Sequence, residues 1–144
     1  MVLVTRVRSI MSNTSTRKFQ KELNSGAVSL VVLCVVEQMG RPVYGYEVAR
    51  LLQLRSVESM PMNEGAVYPV LRSLERQSLL TSDLVPSDVG PPRKYYRLTD
   101  DGLRTLSAWK RTWRDTTAFV NAILENPPDA DPARSTSTNA STSR

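Results

Sequence analysis

The sequence predicts a mainly α fold with a small β-hairpin and a long C-terminal helix. Three observations predict it. First, between Asn63 and Arg76 the apolar residues Val67, Val70, Leu71 and Leu74 fall on one face at 100° per residue, with Gly65, Tyr68, Pro69, Arg72 and Arg76 opposite. Second, two strand-like runs follow at once, Leu79 to Val85 and Arg93 to Thr99, around a Gly90-Pro91-Pro92 tip. Third, an amphipathic stretch from Asp100 to Glu125 closes the ordered chain. A helix whose outer face is cationic, aromatic and small at its start, with a basic hairpin behind it, is the pattern of a winged helix-turn-helix.

A first helix is expected from about Phe19 to Met39. Val31 to Val36 is rich in β-branched residues and by local propensity reads as a strand; the length of the segment argues for a helix. A second helix follows Gly40-Arg41-Pro42, from about Tyr44 to Leu54, with Val48, Leu51 and Leu52 inward. Residues 55–62 make a loop, and Asn63 caps the third helix through its side-chain oxygen. Pro69 stands inside that helix. It removes one backbone hydrogen bond and crowds the carbonyl of residue 65, so a bend or a loosened first turn is expected, with Gly65 giving way.

Thr99 is an N-cap for the fourth helix, with Asp100 and Asp101 favourable in its first turn. Leu106, Trp109, Trp113, Val120 and Ile123 occupy positions a and d of a heptad, Leu103 and Leu124 widen the stripe, and Thr116 interrupts it. A seam of this length on a small domain calls for a second helix to cover it, and a homodimer is the economical answer. The organisation expected is therefore a disordered basic segment over residues 1–18, a winged helix-turn-helix over 19–99, a dimerisation helix over 100–125 and a disordered tail over 126–144. The tail is Pro, Ser, Thr, Asn and Asp with almost no apolar content. The leader carries Arg6, Arg8, Arg17 and Lys18 and no acid, and reads either as a disordered segment or as a basic arm that tracks DNA.

Composition narrows the function. The net charge is +5 with a pI near 9.7, which favours polyanionic partners. There is no histidine, which removes His-based acid–base catalysis, Ser-His and Cys-His nucleophile pairs, and most zinc sites. Cys34 is the only cysteine, so no intrachain disulfide forms; it reads as a small buried apolar residue in a reducing, cytoplasmic setting. The apolar run Ala27 to Val36 is about half the roughly 20 residues a membrane span needs. Neither an enzyme nor a metal or cofactor protein is expected.

The same residues carry a resemblance. Gly65-x-x-Tyr68-Pro69-x-Leu71-x-x-Leu74-Glu75, followed by Gly90-Pro91-Pro92-Arg93-Lys94-Tyr95-Tyr96-Arg97-Leu98-Thr99-x-x-Gly102, resembles the signature of PadR-type transcriptional regulators, and Tyr44-Gly45-Tyr46-Glu47 is similar to the family's Gly-Tyr element. The likeness spans about residues 26–125 and supports a helix at Val31–Val36. It implies a sequence-specific regulator, most simply a repressor, that dimerises through its C-terminal helix and binds a pseudo-palindromic operator in double-stranded DNA. On that reading Tyr44, Tyr46, Asn63, Gly65, Ala66, Tyr68, Pro69, Arg72, Ser73, Arg76, Arg93 and Lys94 form the DNA face. Leu106, Trp109, Trp113, Val120 and Ile123 form the dimer or effector face. Trp113 matches the family's helix-four tryptophan, which in some members walls a pocket for flat aromatic or drug-like molecules. One departure is visible: Ser78 stands where the family has glycine after the recognition helix, so the tightness of that turn is in question. The rival from another class is a winged-helix module that docks protein through Tyr68, Pro69 and the wing. The net charge and the Arg72/Arg76 pair argue against it.

Overall fold

The computed structural model describes the backbone of residues 2–126 and the side chains of residues 13–126. Beyond Asn126, the tail expected to be disordered lies outside the described residues. The element order is α1 (Val2–Met39), β1 (Val43–Tyr44), α2 (Gly45–Arg55), α3 (Glu64–Arg76), β2 (Leu80–Val85), β3 (Arg93–Leu98) and α4 (Asp100–Glu125). The chain divides into two units, residues 1–110 and residues 111–144.

In the first unit α1 begins at Val2, not near Phe19. The basic leader expected to be disordered is thus helical in backbone from its second residue. Residues 2–25 contain neither Gly nor Pro, so a helix nucleated by the packed end of α1 meets nothing to stop it. The β-branched run is helical and pays no penalty for it, because Val32, Leu33, Val35 and Val36 are buried at i, i+1, i+3 and i+4. By length and mean hydropathy alone, the longer segment Asn13–Met39, which contains the run Ala27 to Val36, is apolar enough to cross a membrane. Its apolar face is taken up by the domain core instead. Cys34 is half-buried there, and burial pushes its thiol above the ordinary range; Lys110 opposes the shift and Glu37, ion-paired to Lys110 at 2.7 Å, reinforces it.

The strands form one antiparallel sheet in the order β1-β3-β2. β2 and β3 are the expected hairpin, in register from Leu80↔Leu98 to Val85↔Arg93. β1 is an addition that the sequence does not announce: two residues, with Val43 opposite Tyr96 and Tyr44 opposite Tyr95. It ties the start of α2 to the wing. Gly45 follows directly, and a Cβ there would come within 3.1 Å of the Tyr68 ring and 3.3 Å of the Tyr96 ring. Only a glycine lets α2 start this close to α3 and β3.

The core gathers α1, Val48, Ala49 and Leu52 of α2, Val67, Leu71 and Leu74 of α3, and Leu80 and Tyr96 of the sheet. Leu106 of α4 is fully buried in it and Trp109 is packed against it half-buried. Of the seam expected on α4, Leu106 is thus a member of the winged domain's own core, with Trp109 packed half-buried against it. In the second unit the described residues are one helical segment. Trp113 (50% exposed), Phe119 (67%), Val120, Ile123 and Leu124 are all exposed on it. Phe119, outside the a/d pattern, was not expected to belong with them.

Candidate nucleic-acid interface

α3 starts as its sequence requires. Asn63 sits in extended conformation, and its Oδ1 accepts the Ala66 N–H at 3.0 Å. The helix then runs unbroken through Pro69 to Arg76, so the loosening expected around Pro69 does not interrupt it. Val67, Leu71 and Leu74 point inward and Val70 is half-buried. Asn63, Gly65, Pro69, Arg72 and Arg76 are exposed together on the outer face, with Ala66, Tyr68 and Ser73 half-buried along its borders. Ser73 is partly engaged, since its Oγ accepts from Gln77 Nε2 at 3.2 Å. Arg72 and Arg76 have no ion pair among the described residues.

The end of α3 shows how the fold meets its serine. Ser78 takes a positive φ of 61°. Its N–H donates to the Glu75 carbonyl at 2.9 Å and the Leu79 N–H donates to the Leu74 carbonyl at 3.0 Å. Those two bonds, with Leu74 and Leu79 both buried, are a Schellman cap. The turn is as tight with serine as it would be with glycine, at the conformational cost of a β-carbon in the left-handed region.

Thr99 joins this turn to α4. Its Oγ1 donates to the Ser78 carbonyl at 2.6 Å and accepts the Gly102 N–H at 2.9 Å, while its own N–H donates to the Leu79 carbonyl at 3.1 Å. The expected N-cap is present and also pins the base of the wing. A Cβ on Gly102 would lie 2.1 Å from the Leu79 carbonyl oxygen.

On the wing, alternation puts Arg93, Tyr95 and Arg97 on one face and Lys94, Tyr96 and Leu98 on the other. The two cations expected side by side at the hairpin mouth therefore part company. Lys94 turns to α3: its Nζ is 2.8 Å from Glu75 Oε2 and lies over the Tyr96 ring, 5.3 Å from its centroid. The Glu75 carboxylate raises the ammonium above the ordinary lysine range, against a smaller opposing effect of burial. Glu75 Oε1 accepts from Ser82 Oγ at 3.0 Å, whereas the buried Oε2 has the ammonium beside it and no well-aligned hydrogen bond. The sequence reading missed this clamp, because its partners are separated along the chain and neither carries a local signal. Arg93 goes the other way, its guanidinium 5.1 Å over the Tyr44 ring. Tyr44 also meets Tyr46 and Tyr95 at centroid distances of 6.0 and 5.9 Å. Tyr68 borders that group, and burial, reinforced by Glu64, pushes its phenol above the usual range.

The structure thus brings Tyr44, Tyr46, Tyr68 and Arg93 to one region beside the outer face of α3. It turns Lys94 inward; Leu106 is buried and Trp109 half-buried in the first unit, and Trp113, Val120 and Ile123 are exposed in the second. A sequence profile of the PadR-like transcriptional regulator family matches residues 32–108, more than half the chain. A PadR family transcriptional regulator from Eggerthella lenta of known structure is 32% identical, with 85% of this chain and 98% of that one covered, at a TM-score of 0.63. A PadR-like regulator from Bacillus cereus is 31% identical over 73% of this chain and 98% of its own, at a TM-score of 0.59. An uncharacterised protein of Lysinibacillus sphaericus is 24% identical over 106 residues, 74% of this chain and 95% of that protein. The capped, outward-facing α3, the hairpin pinned behind it and these likenesses agree: the chain belongs to the PadR-like family of transcriptional regulators, and its winged helix-turn-helix is a DNA-binding one.

Proposed function

We propose that the protein is a cytoplasmic homodimeric repressor that reads a pseudo-palindromic operator with α3 and is released by a small, flat effector. One observation carries the readout: Arg72 and Arg76 stand exposed and without an ion pair among the described residues, on a face whose other members, Gly65 and Pro69, are small enough to let the backbone approach. A guanidinium one turn from the next can address guanine edges, and two copies about a two-fold axis would read half-sites about one helical turn apart. Tyr44, Tyr46, Tyr68 and Arg93 supply the flanking phosphate contacts. Asn63, Ala66 and Ser73 border the groove, Asn63 with its oxygen already committed to the cap.

The dimer is supported by the apolar surface of residues 111–125, which a monomer would leave in water. Trp113 is the residue through which a planar effector would act, and no other feature speaks for the effector. A salt-titrated mobility shift on duplexes selected by the chain from a random library tests the DNA reading, and selection of no common sequence would refute it. Replacing Val120 and Ile123 by Asp together puts two charges on the exposed apolar face. Sedimentation should then give a monomer that has lost most of its operator affinity with its avidity; a variant still dimeric would move the interface elsewhere. If Trp113→Ala leaves the dimer intact but abolishes release by planar aromatics, Trp113 lines the effector site.

A further inference from the structure

The whole net charge of the chain is carried by its first 21 residues. Arg6, Arg8, Arg17, Lys18 and Lys21 stand there without an acid, and the fourteen Lys and Arg that follow are matched by fourteen Asp and Glu. The family profile begins only at residue 32, so this charge lies outside the part of the chain it matches.

α1 carries these residues past the core as a helix. Among its described side chains none is buried before Val32. Arg17, Lys21 and Asn24 stand at i, i+4 and i+7 and so share one face, with Lys18 about 100° round from Arg17. That face is fixed in place. Asn24 Nδ2 donates to the Ser59 carbonyl at 3.0 Å, and Gln20 Nε2 donates to Asn24 Oδ1 at 2.8 Å. Together with Val57, Glu58 and Ser59, the face walls an open groove whose far side is the loop leading into Asn63, the cap of α3. Arg17, Lys18 and Lys21 are exposed and make no ion pair among the described residues; Glu58 is the one acid lining the groove.

Three unpaired cations held beside the approach to the recognition helix are placed for a polyanion that continues beyond the bases α3 reads. We propose that this side of α1 is a second DNA contact, in which Arg17 and Lys21 on the groove face and Lys18 beside it meet phosphates flanking the half-site. The proposal rests on the DNA reading of α3. It adds sequence-independent affinity, since phosphate contacts position a protein without specifying bases. Phe19 and Leu23, exposed on the opposite side of the same helix, mark the alternative occupant, a second copy of the chain.

The test uses the full chain and an Arg17→Gln/Lys18→Gln/Lys21→Gln variant on two duplexes. One is selected from a random library by the wild type, and the other is a random sequence of equal length. Affinity is measured over a series of salt concentrations. Each lost phosphate contact should flatten the slope of log affinity against log salt by about 0.9, so the variant should be shallower by roughly 2–3 on both duplexes, with its base preference unchanged. Affinity should fall roughly 100-fold at 0.1 M salt. A conservative Arg17→Lys variant should keep the wild-type slope. Equal slopes for wild type and triple variant would overturn the proposal. So would a triple variant that sediments in a different oligomeric state, which would assign the face to contacts between copies. If selection yields no preferred sequence, the reading of α3 falls while the random duplex still decides the role of α1.

Discussion

The recognition helix and the wing carry the same kind of charge in opposite conditions. On α3, Arg72 and Arg76 are exposed, with no ion pair among the described residues. On the wing two of the three cations are ion-paired, Lys94 to Glu75 and Arg97 to Asp83 at 2.9 Å, while Arg93 lies over the Tyr44 ring with its N–H groups left for a phosphate. A free guanidinium reaches a base edge at the cost of its hydration alone. A paired one must first break its pair, which in a partly exposed setting is worth about 1 kcal/mol or less but takes away most of the gain from a single phosphate. The lesson is that a cation's count in the sequence says less than its partner in the fold. In this domain α3 keeps its cations exposed, and the wing is held against it.

The largest test of that division is at the joint the two share. Gly102→Ala drives a β-carbon into the Leu79 carbonyl, and backbone cannot rotate away as a side chain can. We expect a loss of about 3 kcal/mol or more in urea unfolding; a loss below about 1 kcal/mol would mean that wing and helix are less tightly joined than described.

Next comes readout. Arg72→Ala should weaken specific binding by about 1–3 kcal/mol and relax preference at one base pair. Lys94→Gln should leave both base preference and salt slope close to wild type, where a phosphate contact would have flattened the slope by about 0.9. A full loss of slope in Lys94→Gln would return the wing's lysine to the DNA.

The clamp also has a pH signature. Lys94 has a folded pKa above its unfolded one, so its contribution is fully present below the unfolded value and is lost as pH rises through the folded value. Tyr68, with its phenol also raised, loses stability over the same rise. Wild-type stability should therefore fall above about pH 10, where unfolded lysine and tyrosine titrate. Lys94→Met should fall less steeply there, as followed by denaturant midpoints; identical alkaline limbs would show that the ion pair contributes nothing. The smallest effect is at the end of α3. Ser78→Gly relieves a left-handed serine and should stabilise by about 0.5–1 kcal/mol, and a destabilised variant would show that the serine is favoured there for another reason.

Local signals were legible and distant ones were not. Asn63 and Thr99 announce the starts of α3 and α4 because a cap acts within three residues of itself. The stiff Gly90-Pro91-Pro92 tip and the strand-like runs beside it mark the hairpin for the same reason. Glu75 and Lys94 reveal nothing alone, since only the return of β3 past α3 brings them together. Leu106 and Trp109 repeat on the same heptad as Trp113 and Val120, and periodicity alone cannot say where along a stripe the domain's own core ends. β1 is too short to have a pattern. The helical start of α1 was missed because polarity suggested disorder, while the absence of any helix breaker pointed the other way.

Thr99 has one further consequence. Its hydroxyl and its amide bring the chain leaving the hairpin back to Ser78 and Leu79, where it entered. The nineteen-odd residues in between run out from this closure, and within it Leu80, Tyr96 and the Lys94–Glu75 pair hold the base of the hairpin to the helices. The far end, around Pro86 to Pro92, lies beyond those contacts, and doubling the length of that tip would cost only about 0.6 kcal/mol in closure entropy. The tip of the wing is therefore an exchangeable part. Its reach, charge and length are open to evolutionary change, and to grafting between relatives, without any rebuilding of the scaffold that carries the reader.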